Sequence, residues 1–169
     1  MKLNKEEINA LRDLLSDEGN RNSEVLTNLH QKLTGSGTVE LYVDGAADLH
    51  SKTAGIGGVL FRNGEELYSF SDYIHDKTNN EAEYSALIKG LEISIELNQA
   101  NVAIYADSQL VVNQINGDYK VKDERMKALH GKASLLLKKL DSWSFEHIPR
   151  DQNKVADKLS KQAMMSGRK

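Results

Sequence analysis

The stretch Val39-Glu-Leu-Tyr-Val-Asp44-Gly45 is an apolar run that ends in a carboxylate. A second run, Val102-Ala-Ile-Tyr-Ala-Asp107-Ser108, repeats this pattern. Both runs have the length and composition of buried strands. In an open α/β sheet, ligands bind at the edge where neighbouring strands end. We therefore expect Asp44 and Asp107 to end two adjacent strands and to lie side by side.

Two further carboxylates lie near the starts of predicted helices. Glu83 belongs to Thr78-Asn-Asn-Glu-Ala-Glu83-Tyr84, and Asp157 belongs to Arg150-Asp-Gln-Asn-Lys-Val-Ala-Asp157-Lys-Leu159. Taken singly, each of the four acids fits a turn, a helix cap or a favourable charge at a helix start. Four acids in one place would repel each other unless a cation lay among them. Divalent cations with oxygen ligands are the natural partner, and phosphates are the natural substrate.

Hydrophobic periodicity predicts alternating strands and helices around these acids. The predicted strands are Thr38–Val43, Ile56–Arg62, Glu65–Ile74, Val102–Ala106 and Ser142–Ile148. The predicted helices begin at Asn79 and span Gln109–Asn116, Asp123–Leu140 and Asn153–Met165. Residues 45–58 are rich in glycine and alanine and are predicted to be a turn. Asn63-Gly64 predicts a tight hairpin, and Thr78 with Glu81 has the spacing of a capping box.

Residues 1–37 are predicted to form a separate helical extension, followed by a catalytic domain at 38–169. Apolar residues recur at helical spacing in two groups: Ile8, Leu11, Leu14 and Leu15, then Val25, Leu26, Leu29 and Leu33. Gly19-Asn20 separates the two predicted helices, and Thr34–Gly37 is a short linker. The extension has five basic and six acidic residues and no aromatic residue. This composition favours a packing appendage over a nucleic-acid-binding module.

Composition limits the class of protein. A chain of 169 residues predicts one domain with a small appendage. It has no cysteine, which excludes disulfides and thiolate metal sites. The sequence has no apolar run of membrane-spanning length and no signal-peptide core, so we expect a cytoplasmic protein without a membrane partner. The net charge of −3 is unusual for a nucleic-acid binder, but bound metal ions would neutralise acidic ligands.

The four acidic stretches, in this order and on this alternation of elements, resemble the ribonuclease H type 1 family from about Thr38 to Met165. The resemblance implies an α/β ribonuclease H-like fold, with a five-stranded mixed sheet flanked by helices. It implies an endonuclease that cleaves the RNA strand of RNA–DNA hybrids and leaves a 5′-phosphate and a 3′-hydroxyl. Two Mg²⁺ or Mn²⁺ ions would act together. Asp44 would bridge them, Glu83 and Asp107 would share the first ion, and Asp157 would hold the second.

The resemblance also implies substrate-binding positions. Asn80 and Gln109 match positions that read the 2′-hydroxyl group, which distinguishes RNA from DNA. Asn79 would face the DNA strand, and Gly45 would lie against the substrate. Without such a role, the two asparagines would be ordinary polar residues at a helix start, and Gln109 would be an exposed helix residue.

A further side chain is expected to assist the chemistry near Asp157. Some relatives carry a mobile histidine in the loop before the last aspartate, and an ungapped count from Asp157 reaches His147. That residue is predicted to lie in the fifth strand, whereas Arg150 lies in the short loop after it. A cation there would stabilise charge in the transition state. We therefore favour Arg150 over His147 as the auxiliary catalytic residue.

The sequence departs from better-known members of this family in two places. The stretch Asn116–Arg125 is short and of mixed charge, so the chain resembles the subset without a basic protrusion. The turn after Asp44 lacks the usual Gly-Asn-Pro-Gly pattern. One alternative is therefore a weak or inactive nucleic-acid-binding domain with the same fold. Another is a related nuclease, such as an exonuclease or an integrase. The sequence leaves the oligomeric state and the preferred metal open.

Overall fold

The computed structural model describes residues 5–20, 23–27, 29 and 37–167. Its strands are β1, Thr38–Asp48; β2, Thr53–Arg62; β3, Glu65–His75; β4, Asn101–Ala106; and β5, Ser142–His147. Its α-helices of seven residues or more are α1, Lys5–Ser16; α2, Asn79–Glu96; α3, Gln109–Ile115; α4, Glu124–Leu137; and α5, Lys154–Ser166. Short 3₁₀ turns span Glu18–Asn20 and Arg150–Gln152.

The five strands form one mixed sheet in the order β3-β2-β1-β4-β5. The first three strands are antiparallel neighbours, and β4 runs parallel to both β1 and β5. This arrangement confirms the predicted meander, the central fourth strand and the mixed sheet flanked by helices. Side chains alternate between the two faces of each strand. The buried β1 residues Val39, Leu41 and Val43 join the core with α2 and α4, so Asp44 points to the opposite face.

The first hairpin differs from the prediction. β1 continues through Asp44 to Asp48, and β2 already begins at Thr53. The predicted strand ends at Val43 and Ile56 were therefore wrong, and so was the turn at residues 45–58, because the actual turn is confined to residues 49–52. Glycine-rich sequence is typical of turns. Here, however, the glycines lie inside a strand where another backbone approaches closely, which is the alternative role of strand glycines.

The glycines of β2 let α5 lie directly on the sheet. A Cβ atom on Gly57 would be 2.4 Å from the backbone nitrogen of Ser160, and one on Gly55 would be 2.2 Å from that of Met164. Any side chain at either position would therefore push the helix outward. Since Gly57 is the β-ladder partner of Asp44, this contact brings α5 next to that carboxylate.

Local sequence signals define the helix starts. The predicted capping box is confirmed, because the Thr78 side chain accepts from the backbone of Glu81 and the Glu81 side chain accepts from the backbone of Thr78. Asp123 caps α4, which ends at Leu137 rather than at the predicted Leu140. Between α3 and α4, residues 116–123 contain no helix. None of the helices that the structure describes is long and apolar enough to cross a membrane.

The N-terminal helix α1 packs at the end of the domain remote from the carboxylates. Ile8 is buried in the main core, and the Arg12 guanidinium donates to the carbonyl of Glu96 at 3.0 Å. Glu96 ends α2 and Glu83 lies thirteen residues earlier, which is about 20 Å along the helix axis. In the second predicted helix, residues 24–27 and 29 are helical; the rest of it, and residues 34–36 of the predicted linker, lie outside the described residues.

The close contact between α5 and β2 predicts that Gly57→Ala will destabilise the protein by about 1–3 kcal/mol or more, because the added methyl group meets backbone atoms that cannot rotate away. Chemical denaturation would measure the loss. Gly131→Ala is the control, since a Cβ atom there meets nothing within 4 Å and Gly131 lies inside α4. Alanine should stabilise that helix by up to about 1 kcal/mol. Equal effects of the two substitutions would contradict the packing argument.

Candidate active site

Strand pairing brings Asp44 and Asp107 together. The parallel ladder between β1 and β4 pairs Tyr42 with Tyr105. Two residues further on, the same register places Asp44 beside Asp107, which follows the end of β4. Their predicted proximity is therefore confirmed, although Asp44 lies inside its strand and not at its end.

Glu83 reaches the same point from α2. A Cβ atom on Gly45 would be 2.3 Å from the backbone of Ala82 and Glu83, so glycine at this position lets the start of α2 touch β1. The Gly45 backbone N–H donates to the Glu83 carboxylate at 3.2 Å. One oxygen atom from each of Asp44, Glu83 and Asp107 lies within 4.8 Å of the others. These three acids form a cluster that could hold a metal ion, and we call them the acidic triad.

Asp157 does not join the acidic triad. Arg150 donates to its Oδ1 from Nε at 2.8 Å and from Nη2 at 2.6 Å, and Lys161 Nζ donates to its Oδ2 at 2.8 Å. The structure therefore brings three of the four predicted acids into one cluster and leaves Asp157 just outside it, close enough for its charge to help raise the pKa of Asp44. The physical reason is charge, because two cations already compensate Asp157. Arg150 also links the two groups, since its Nε lies 3.9 Å from Oδ2 of Asp107.

The acidic triad is electrostatically strained. Burial, followed by repulsion from Asp44 and Asp107, raises the pKa of Glu83 to about 9. Burial and the neighbouring Asp107 also raise the pKa of Asp44 to about 7, even though a hydrogen bond from Ser160 opposes the shift. Burial alone would raise the pKa of Asp157 as well, but Lys161 and Arg150 hold it below its ordinary value. Glu83 therefore retains its proton near neutrality and Asp44 retains it in part, whereas Asp157 is ionised. A divalent cation would displace those protons, as metal binding to carboxylates generally does.

The acidic triad faces an open cavity of about 310 Å³. The lining residues are Asp44, Gly45, Ala46, Ala47, Asn79, Glu83, Asp107, Arg150, Lys161 and Met164. The wall therefore combines carboxylates with two cations, a composition suited to a phosphate group and its metal ions.

The predicted substrate residues lie in different positions relative to the cavity. Asn79 and Gly45 line it, and the Asn79 side-chain oxygen accepts from the Ala47 N–H at 2.8 Å. Asn80 and Gln109 are exposed and lie outside the cavity wall.

The two candidates for the auxiliary residue also differ in position. Arg150 lines the cavity, whereas His147 is exposed, pairs with Ala106 in the β4–β5 ladder and is not part of the wall.

Sequence reasoning missed three residues at this site, all on or next to α5. Lys161 lies one turn after Asp157, and this spacing alone could have indicated the ion pair. Ser160 is fully buried and its hydroxyl donates to Oδ2 of Asp44. Asn153 was predicted only to begin the last helix. Its side chain makes no capping bond, and its Nδ2 instead donates to the carbonyl of Val43 at 2.9 Å and to Oδ1 of Asp107 at 3.4 Å.

The raised pKa of Glu83 predicts a pH-dependent stability in metal-free buffer. A group whose pKa is higher in the folded than in the unfolded state stabilises the fold fully below the unfolded value, near 4.3, and this stabilisation is lost as the pH rises toward about 9. Glu83→Gln replaces the carboxyl group with an amide that cannot ionise, so the variant does not lose stability in this way as the pH rises. In thermal melts with a chelator, the variant should therefore match the parent near pH 4 and become progressively more stable than it up to pH 9.

A difference in melting temperature that does not change with pH would contradict the burial and repulsion assigned to Glu83. Glu92→Gln controls for the loss of a carboxylate on the same helix, since Glu92 pairs with Lys132 at 2.9 Å and lies outside the acidic triad.

Known proteins resemble this chain in sequence and in structure. A family profile described as Reverse transcriptase-like matches residues 42–163. Ribonuclease HI of Halobacterium salinarum is 36% identical over 129 residues, which are 76% of this chain and 65% of that protein. The crystal structure of RNase H1 from the same organism has a TM-score of 0.74 at 35% identity, and the match covers 77% of this chain and 99% of that one.

Two further structures show the same similarity. The N-terminal RNase H domain of Rv2228c from Mycobacterium tuberculosis has a TM-score of 0.75 at 33% identity, over 78% of this chain and 96% of that one. LC11-RNase H1, solved in complex with an RNA/DNA hybrid, has a TM-score of 0.72 at 34% identity, over 78% of this chain and 99% of that one. The chain spans 65% of the length of the Halobacterium protein and 35% of the whole Rv2228c protein.

Proposed function

Because the chain belongs to the ribonuclease H type 1 family, within the group described as Reverse transcriptase-like, we propose that it is an endonuclease that hydrolyses the RNA strand of RNA–DNA hybrids. The observation that carries this proposal is the acidic triad at the β1–β4 edge, facing a cavity of about 310 Å³ that two cations also line. The similarity to a relative solved with an RNA/DNA hybrid supports the choice of substrate. The products would carry a 5′-phosphate and a 3′-hydroxyl.

The proposed cofactor is a pair of Mg²⁺ or Mn²⁺ ions. The hard oxygen donors of Asp44, Glu83 and Asp107 fit such ions, and Asp157 would join them after exchanging its contacts with Arg150 and Lys161. When bound, the ions would supply an activated water and stabilise the leaving oxygen. The raised pKa values of Glu83 and Asp44 come first from burial and then from repulsion between carboxylates, and a bound cation would compensate the charge of the ionised groups against both effects.

The remaining residues are assigned to the substrate. Arg150 is 65% exposed at the cavity, which supports assigning it to a phosphate of the substrate once Asp157 has exchanged it for a metal ion. Gly45 and Asn79 line the same cavity, where they would contact the hybrid. Asn80 and Gln109 are proposed to read the 2′-hydroxyl from the exposed rim, which requires the hybrid to extend beyond the cavity.

The division into an extension at 1–37 and a catalytic domain at 38–169 is also a proposal. Two observations support it: the family profile matches only residues 42–163, and α1 contacts α2 about 20 Å from Glu83. We further propose a cytoplasmic location.

The first functional prediction concerns the substrate. In the presence of Mn²⁺, the full chain should cleave labelled RNA–DNA hybrid and leave RNA–RNA and DNA–DNA duplexes intact. Asp107→Asn should lower hybrid cleavage by several orders of magnitude and keep the fold, because it removes a charged oxygen ligand from the acidic triad. Binding of the hybrid without cleavage by the parent protein would instead support the alternative of an inactive nucleic-acid-binding domain. Cleavage of DNA duplexes would support a different nuclease.

The second functional prediction separates Arg150 from His147. Arginine stays charged near neutrality, so it can stabilise phosphate charge but cannot act as a general base. Arg150→Ala should lower the single-turnover rate by about ten-fold or more at saturating Mg²⁺, with little change in hybrid affinity. His147→Ala, as the matched variant outside the cavity, should change the rate far less. A larger loss of rate in folded His147→Ala would reverse the assignment.

A further inference from the structure

Ser160 contacts the Asp44 carboxylate but has no role in the proposed reaction as described above. It is fully buried on α5, and its hydroxyl has two possible acceptors: Oδ2 of Asp44 and the carbonyl oxygen of Asp157 at 2.9 Å. A serine inside a helix commonly donates to a carbonyl of the preceding turn. A hydroxyl has one hydrogen, and an ionised carboxylate is the stronger acceptor of the two. The hydrogen is therefore directed to the Asp44 carboxylate.

The backbone holds this contact in place. Gly57 pairs with Asp44 in the β1–β2 ladder, and α5 rests on Gly57 so closely that a Cβ atom there would lie 2.4 Å from the Ser160 nitrogen. Asn153, seven residues earlier in sequence, ties the start of α5 to the carbonyl of Val43 at 2.9 Å. The helix is thus fixed to β2 beside Asp44 and to β1 at the preceding residue, and Ser160 has little freedom to leave its acceptor.

We propose that Ser160 is a positioning residue for the metal centre: its hydroxyl fixes the orientation of the Asp44 carboxylate so that Asp44, Glu83 and Asp107 present their oxygens to one point. A carboxylate rotates easily about its last side-chain bond, since that torsion is broad. The hydrogen bond to Oδ2 removes this freedom before a metal arrives. The inference rests on the proposed function, because it takes Asp44 to be a metal ligand.

The chain offers a matched control in Ser94. This residue is also fully buried in a helix, and its hydroxyl donates to the carbonyl of Gly90 at 2.8 Å. Both serines are fully buried and lie beside a carbonyl of their own helix, but only Ser160 directs its hydrogen to a carboxylate of the acidic triad. Each alanine substitution removes one buried hydroxyl, and only Ser160→Ala removes the bond to Asp44.

The test measures binding of Mn²⁺ alone to the substrate-free full chain by titration calorimetry, at one fixed pH. Ser160→Ala should weaken Mn²⁺ binding by about 10-fold or more, as is typical when a hydrogen-bond partner of a metal ligand is lost. Ser94→Ala should bind as the parent does. In cleavage assays, Ser160→Ala should need a correspondingly higher Mn²⁺ concentration for half-maximal rate, while the Michaelis constant for hybrid stays unchanged.

Ser160→Cys provides a second reading if the alanine variant does not fold, because it preserves the shape and replaces the hydroxyl with a weak donor. It should weaken Mn²⁺ binding in the same way. Parent-like Mn²⁺ affinity in a folded Ser160→Ala or Ser160→Cys protein would overturn the inference. Failure of the parent and Ser94→Ala to bind Mn²⁺ would instead count against the proposed metal centre itself, and so would full Mn²⁺ binding by Asp107→Asn.

Discussion

The parallel pairing of β1 with β4 is the constraint on which the site depends. Both strands bury an apolar face against α2 and α4, so their register is determined by the core and not by the acids. That register forces Asp44 and Asp107 together, and the start of α2 adds Glu83. The core thus holds three carboxylates close together, at a distance where their negative charges repel each other. Such a cluster destabilises the folded state. Carboxyl groups with perturbed pKa values of this kind are typical of functional sites.

The segment that contains α5 compensates the charge of Asp157 more fully than the charges of the acidic triad. It supplies Asp157 and Lys161 together, and Arg150 from the preceding turn completes an ion-pair group in which one carboxylate meets two cations. Toward the acidic triad, the hydrogen bonds from the same segment come from the uncharged donors Ser160 and Asn153, while Arg150 Nε stays 3.9 Å from Asp107. Neutral donors orient carboxylates without neutralising them. Ionisation of the triad is therefore left without full compensation, which agrees with the raised pKa values of Glu83 and Asp44.

The sequence predicted the elements and their order well, because apolar periodicity and capping residues are local signals. The capping box at Thr78 and the cap at Asp123 show this at single residues. The sequence-based prediction was wrong at residues 45–58. A glycine-rich stretch fits a turn, but it fits equally well a strand on which a helix packs closely. That distinction depends on a contact with α5, about a hundred residues later in the chain. The roles of Ser160 and Asn153 were missed for the same reason, since each bonds to β1 across the fold.

The separation of Asp157 from the acidic triad affects the order in which metal ions would bind to the proposed metal centre. Among the described residues, Arg150 Nε at 3.9 Å from Asp107 is the one cationic group within ion-pair distance of the triad, so a cation entering there meets little competition from side-chain cations. A cation approaching Asp157 must first compete with two ion pairs of 2.6 and 2.8 Å. Competition of this kind weakens binding at Asp157 relative to the triad. In the proposed two-ion centre, this competition would favour filling of the triad before the position at Asp157. Arg150 and Lys161 would become available to a phosphate only when Asp157 exchanges them for a metal ion.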